Sequence, residues 1–170
     1  MSKHTKHTNL ERRDNDNFAP NEISILGTDC NTISDLVSKI SEKLPNYKLG
    51  YFDASHAKDV VPNTISNYVF HHEGNVQITT SGGINKFQQR LDFTQLDYVF
   101  INGNHYQGAK QILILDEAKE ASVLKRLAQL QNIQFIIKRT SDSAYFSFLE
   151  DEFPNIKNIT CYHIDEIDKI

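Results

Sequence analysis

Basic charge is what this sequence lacks most conspicuously. Eighteen lysines and arginines stand against 22 aspartates and glutamates, for a formal net charge of −4. With a pI near 5.9 there is no basic face of the kind a general nucleic-acid binder needs, so no nucleic-acid partner is expected. Cysteine is almost absent: Cys30 and Cys161 are too few for a disulfide framework and are expected as reduced thiols. No apolar run is long enough to cross a membrane, and no charged-then-apolar leader is visible, so a cytoplasmic location is expected. What remains is an ordinary globular composition, 39% apolar and 24% charged over 170 residues. That length suits one domain with a single core, burying roughly two-thirds of the unfolded surface.

Texture divides the chain at residue 22. Residues 1–21, "MSKHTKHTNLERRDNDNFAPN", are polar and charged and read as an arm, because such a segment buries too little to fold alone. Residues 22–170 read as a single α/β domain. In "EISILG" an apolar run ends at Gly27, and then Ile33, Leu36, Val37, Ile40 and Leu44 recur at helical spacing up to Pro45. "YKLGYFD" is a second strand, completing a strand–helix–strand unit with parallel strands. "NYVFHH" and "NVQITT" suit a hairpin around Glu73 and Gly74, or an addition to a sheet edge. Gly82 and Gly83 break the chain before a short helix at 85–91. "LDYVFING", "QILILD", "IQFIIK" and "NITCYHI" are further strands. The periodicity predicts helices over 117–130 and 143–152, the first with acids early and Lys125 and Arg126 late. Its stripe Val123, Leu124, Leu127 and Leu130 is expected in the core. The predicted fold is α/β: a mostly parallel sheet with helices on both faces, Rossmann-like, with a small β-hairpin excursion.

Ligands of such sheets sit beyond the carboxyl ends of the strands. The phosphate-loop pattern G-x-x-x-x-G-K-[ST], laid from Gly27, puts Thr32, Ile33 and Ser34 at its second glycine, lysine and hydroxyl positions. Gly27 and the Ser34 hydroxyl satisfy the pattern; Thr32 and Ile33 do not. Isoleucine offers neither donor nor charge to a phosphate, and Asp29 and Asp35 add negative charge where a polyphosphate would lie. Thr32 and Ser34 also serve as ordinary helix caps. Asp53, ending the second strand, is an acid in a plausible place, and Asn102 with Gly103 ends "LDYVFING" where a metal-holding acid would be expected. Gly27, Thr32, Ser34, Asp53, Asn102 and Gly103 are therefore the candidates for a vestigial phosphate site.

Seven histidines, His4, His7, His56, His71, His72, His105 and His163, raise the question of a metal. His56, His71 or His72 and His105 follow strands that end on one edge and, with Asp53, would supply zinc-type ligands. No H-e-x-x-H or C-x-x-C pair fixes such a geometry, so the expectation is no metal site. Cys30, at a helix start, would form a thiol nucleophile if a histidine met it, and no partner is assignable from the sequence. "GNHYQG" is a glycine-bounded loop with polar aromatic residues, suited to a flat ligand or partner.

The stretches "ISILGTDCNTISDL", "YKLGYFDASH", "LDYVFINGNHY" and "KQILIL" together resemble the MobB family. Members are P-loop GTP-binding accessory proteins of molybdopterin guanine dinucleotide synthesis. The ending "NIQFIIK…NITCYHIDEIDKI" is similar too, so the resemblance covers most of residues 22–170. It implies a P-loop NTPase-like fold with a degenerate Walker A loop, since the family's lysine is Ile33 here and its strand-end glutamate is Asn102. The whole also resembles the N-terminal domain of long MobA-type molybdenum cofactor guanylyltransferases, whose openings are like "KHTKHTNLERRDNDNFAPNEISILGT". No transferase loop of the type LAGGxSxRMG occurs in the sequence. The resemblance thus implies a non-catalytic accessory or scaffold domain followed by, or partnering, a guanylyltransferase domain that carries the nucleotidyl transfer. GTP or a molybdopterin-type ligand is the implied cofactor, magnesium entering only with GTP, and a homodimer is a further implied partnership. The alternatives are a domain that still binds GTP or another phosphate ligand through an altered loop, using Ser34, Asp53 and backbone amides, and a dimerisation module in which "NVQITT" serves as a sheet edge.

Overall fold

The first strand forms where aliphatic residues replace the polar arm. The computed structural model describes residues 21–53, 67–70, 76–79 and 86–169, and β1 (Asn21–Leu26) opens it. Asn21, read above as the end of the arm, is instead the first residue of this strand, paired with Tyr98. α1 (Cys30–Lys43) follows and buries Ile33, Leu36, Val37 and Ile40 along one stripe. Each such side chain contributes about 1.5–3 kcal/mol when fully withdrawn from water. The helix ends at Leu44, whose N–H turns back to the Ser41 carbonyl, and Pro45 cannot extend it.

β2 (Leu49–Phe52), β3 (Asn67–Phe70), β4 (Val76–Thr79), α2 (Lys86–Phe93), β5 (Tyr98–Asn102) and β6 (Lys110–Leu115) come next. α3 (Glu120–Leu124), β7 (Ile133–Lys138), α4 (Ser147–Glu152) and β8 (Cys161–His163) complete the order. Six strands form one sheet in the order β2-β5-β1-β6-β7-β8, every neighbouring pair parallel. β3 and β4 pair antiparallel as a separate two-stranded sheet, so of the two arrangements open to this segment the local pairing is the one formed. The turn around Glu73 and Gly74 lies outside the described residues, as do Gly82 and Gly83.

Both faces of the sheet are covered, as expected for parallel strands. Alternation along β6 distributes the core: Ile112 and Ile114 pack with Ile25, Phe100, Ile137 and the α1 stripe on one face. Leu113 and Leu115 pack with Val123, Leu130, Ile136, Leu149 and Ile156 on the other. Single helices predicted at two places are shorter. Over 117–130 the chain forms a 3-10 turn (Glu117–Lys119), then α3, then a second 3-10 turn (Leu127–Gln129). Tertiary hydrogen bonds interrupt it. The Arg126 guanidinium donates to the carbonyls of Gly103 (2.8 Å) and Asn104 (2.6 Å), and the Gln129 carbonyl accepts from the Gln111 and Gln107 side chains. Of the expected core stripe, Val123 and Leu130 are buried, whereas Leu124 is 50% exposed. The helix predicted over 143–152 begins only at Ser147, because Ser143 instead closes a turn with Thr140, its hydroxyl accepting the Thr140 N–H. Among the described residues no helix is long and apolar enough to cross a membrane.

Candidate functional site

Between β5 and β6, the carboxyl end of β1 is the topological switch point of the sheet, the position where α/β proteins bind ligands. Three residues, Gly27, Thr28 and Asp29, separate β1 from α1. Gly27 has φ +96°, and a Cβ there would strike the Ile114 carbonyl, so the tight turn requires glycine. Asp29 is the N-cap of α1. One carboxylate oxygen accepts the Thr32 N–H at 3.0 Å and the other the Thr32 hydroxyl at 2.7 Å. Sequence spacing assigned capping to Thr32 or Ser34; the cap is Asp29, and Thr32 is its donor.

This carboxylate belongs to a closed network. Arg139, directly after β7, places Nη1 at 2.8 Å from Asp29 Oδ2, 3.0 Å from Asp116 Oδ2, 2.6 Å from Thr28 Oγ1 and 2.9 Å from Thr32 Oγ1. Thr28 in turn donates to Asp116 at 2.7 Å, and Asp116, directly after β6, also accepts the Ala118 N–H and caps the turn that follows. The Thr32 N–H above all, then the Thr32 hydroxyl and Arg139, hold the Asp29 carboxyl well below the usual carboxylate range. Asp29 in return raises the pKa of Arg139. The helix N-terminus, ordinarily an anion site, is thus occupied by the chain's own anion. Ile33, at the lysine position of the phosphate-loop pattern, is fully buried against the sheet, and Ser34 is half-buried one turn into α1.

A second group of residues lies on the other side of the α1 start. Cys30, the first residue of α1, has Sγ 3.5 Å from His105 Nε2 and 3.8 Å from Asn104 Nδ2. Asp53, past the end of β2, accepts the Tyr51 hydroxyl at 2.9 Å and lies 3.8 Å from the same His105 nitrogen. Burial first, then Asp53, pushes up the Tyr51 phenol. Asn102, at the end of β5, is fully buried; its Oδ1 accepts the Asn104 N–H, and its Nδ2 has no hydrogen-bond partner. Gly103 donates to the Ile25 carbonyl at 2.8 Å. A Cβ on Gly103 would stand only 2.8 Å from Ile25 O and Leu26 Cβ, so glycine lets the β5–β6 connection cross β1. That connection and the Leu127–Gln129 turn enclose a polar cleft of about 560 Å³. Its lining includes Asn104, His105, Arg126 and Gln129.

The sheet order and the layered helices match solved structures. The fold is that of MobB proteins. The structure of Bacillus subtilis MobB shares 18% identity at a TM-score of 0.56, covering 87% of this chain and 93% of that one. A MobB homologue from Bacillus stearothermophilus shares 14% at 0.54, covering 87% and 90%. A structure named molybdopterin-guanine biosynthesis protein B shares 11% at 0.54, covering 87% and 92%. No protein-family model and no curated protein matches the sequence.

Set on this MobB-type frame, the predicted site residues separate. Asp53, Asn102 and Gly103 gather with His105 near Cys30, Thr32 belongs to the Asp29–Arg139 network, Gly27 supplies only the turn that precedes it, and Ser34 joins neither. His4, His7, His56, His71 and His72 lie outside the described residues. Among the described residues no group of three or more His, Cys, Asp or Glu side chains is placed to hold a metal. Thr28, Asn104, Asp116 and Arg139 were not anticipated. Asp116 and Arg139 each stand directly after a strand, so inspecting the ends of "QILIL" and "IQFIIK" as closely as that of "ISILG" would have found them.

Proposed function

We propose that this chain is a MobB-like accessory domain of molybdenum cofactor guanylylation that acts by association and does not turn over nucleotide. The MobB fold supports the pathway. The observation that carries the non-hydrolytic reading is the Asp29 carboxylate at the α1 N-terminus, held by Thr32 and Arg139. A triphosphate approaching there would meet that carboxylate, find Ile33 in the core instead of a cationic side chain, and meet an amide at Asn102. The residues at this site therefore do not fit a magnesium–triphosphate group.

The domain's partner is a guanylyltransferase domain, in the same chain or separate, and the guanylyl-transfer chemistry belongs to that partner. A direct test is calorimetric titration of the purified 170-residue chain with a MobA-type guanylyltransferase in the absence of GTP. Saturable association is expected. Absence of association, together with GTP binding by the isolated chain, would replace this reading with that of a residual phosphate-ligand site.

A further inference from the structure

Two arginines brace the loops at the carboxyl ends of the strands, and only one of them is neutralised. Arg139 meets the carboxylates of Asp29 and Asp116. Arg126, half-buried, donates to the Gly103 and Asn104 carbonyls and to the Asn104 side-chain oxygen, all of them neutral acceptors. Among the described residues no carboxylate forms an ion pair with Arg126 or with Lys125 beside it. A charge drawn out of water is ordinarily paired, and this guanidinium lacks the counter-ion that its burial calls for.

Both cations line the cleft of about 560 Å³ between the β5–β6 connection and the Leu127–Gln129 turn, and no aspartate or glutamate lines it. In a chain of net charge −4, that gathers positive potential in one concavity. The volume falls within the ordinary range of small-molecule sites, about 300–1,000 Å³. Its walls are held in advance. Gln111, buried at the cleft floor, donates to the Gln129 carbonyl at 2.9 Å and accepts the Gln131 N–H at 2.7 Å, while Arg126 ties the facing loop. Other polar groups of the lining remain open. Among the described residues the Tyr106 phenol and the Gln129 side-chain amide make no hydrogen bond, and Gln107 uses only its Nε2.

We infer that this cleft binds a small phosphomonoester on a hydroxylated body, of the size of a sugar phosphate. Such a group carries about 1.5–2 negative charges near neutral pH, which matches the two unpaired cations; a carboxylate would leave one unmatched, and a triphosphate would exceed both. The guanidinium still has N–H groups beyond those given to the carbonyls, and its planar fork suits phosphate oxygens. Lys125 adds a mobile point charge at the rim. The Gln107 and Gln129 side chains and the Tyr106 phenol offer both donors and acceptors, as hydroxyl groups require. No residue of the Asp29–Arg139 network takes part, so the site stands or falls independently of the accessory reading.

The full chain, isotopically labelled for NMR, would be titrated with ribose 5-phosphate, inorganic phosphate and ribose while its backbone amides are followed. Ribose 5-phosphate is expected to bind saturably with a Kd below about 1 mM, moving amides within 103–107 and 125–131 and leaving those of 27–32 in place. Inorganic phosphate is expected to bind about tenfold more weakly, and ribose without saturation. Arg126→Gln should weaken ribose 5-phosphate at least about tenfold, and Lys125→Gln, at an exposed position, about threefold. No saturable shift with ribose 5-phosphate, or shifts confined to 27–32, overturns the inference, a result that does not depend on whether either variant folds. A Lys125→Gln protein with a native spectrum and unchanged affinity overturns the charge matching. Equal affinity for inorganic phosphate and ribose 5-phosphate overturns the role of the amides and the phenol.

Discussion

The first turn of α1 separates two neighbourhoods built from the same kinds of residue. On one side Asp29, Thr28, Thr32, Asp116 and Arg139 form a network in which each carboxylate meets hydroxyl or N–H donors and the guanidinium meets oxygens on four residues. On the other side Cys30, His105, Asp53 and Asn102 meet at longer distances, 3.5 and 3.8 Å, and one buried donor has no acceptor. The difference teaches which side is structural. A satisfied network at a helix N-terminus closes the anion position and ties the ends of β1, β6 and β7 together. The thiol, imidazole and carboxylate on the other side are joined by longer contacts and tie the end of β2 to the β5–β6 connection.

The sharpest way to break this contrast is to restore what a phosphate loop would carry. Ile33→Lys brings back the lysine of the pattern but buries an ammonium where Ile33 is 0% exposed. It is expected to cost at least about 4 kcal/mol and to leave the chain largely unfolded by circular dichroism, without gaining nucleotide affinity. Next comes Arg139→Met, which strands the buried Asp116 carboxylate; after allowing for the partial exposure of Arg139 and Asp29, about 2 kcal/mol is expected. In a thermal melt that corresponds to about 4–8 °C for a domain of this size.

Asp29→Ala should cost about 1 kcal/mol through loss of the helix cap. Because the folded carboxyl of Asp29 is depressed, its contribution is fully present above the unfolded pKa of about 4 and is lost as pH falls through the lower folded value. Urea melts of the native chain and Asp29→Asn should therefore differ most near neutral pH and converge in acid. A constant difference across that range would remove Asp29 from the account. The smallest effects are expected opposite the network: Cys30→Ser and His105→Gln should each shift stability by no more than about 0.5 kcal/mol. A larger loss at either position would mean that this side, too, is structural.

The backbone of the fold is legible where burial dictates composition. "ISIL", "YVFIN" and "QILIL" are predominantly apolar, each with one buried polar residue, because β1, β5 and β6 are covered on both faces, and the α1 stripe follows from one helix face meeting the sheet. The span 117–130 is misleading because its helix-forming composition competes with hydrogen bonds from Arg126 and to the Gln129 carbonyl, made by residues remote in sequence. The site is legible only in part. That position 33 carries isoleucine where the phosphate-loop pattern has lysine is visible in the sequence, and Asp53, Asn102 and Gly103 stand at strand ends. That Asp29 is neutralised by Arg139, and that Cys30 meets His105, depends on side chains 110 and 75 positions apart. Spacing rules carry no information at such separations; only the parallel register brings these strand ends together.

Titration calorimetry of the full chain with GTP and magnesium tests the central claim most directly, with Arg139→Met run beside it. The closed Asp29–Arg139 network predicts no saturable heat from GTP and magnesium for the native chain. Saturable binding in the micromolar range, weakened by Ser34→Ala and Asp53→Ala, would contradict it and make the strand-end crevice a working nucleotide site.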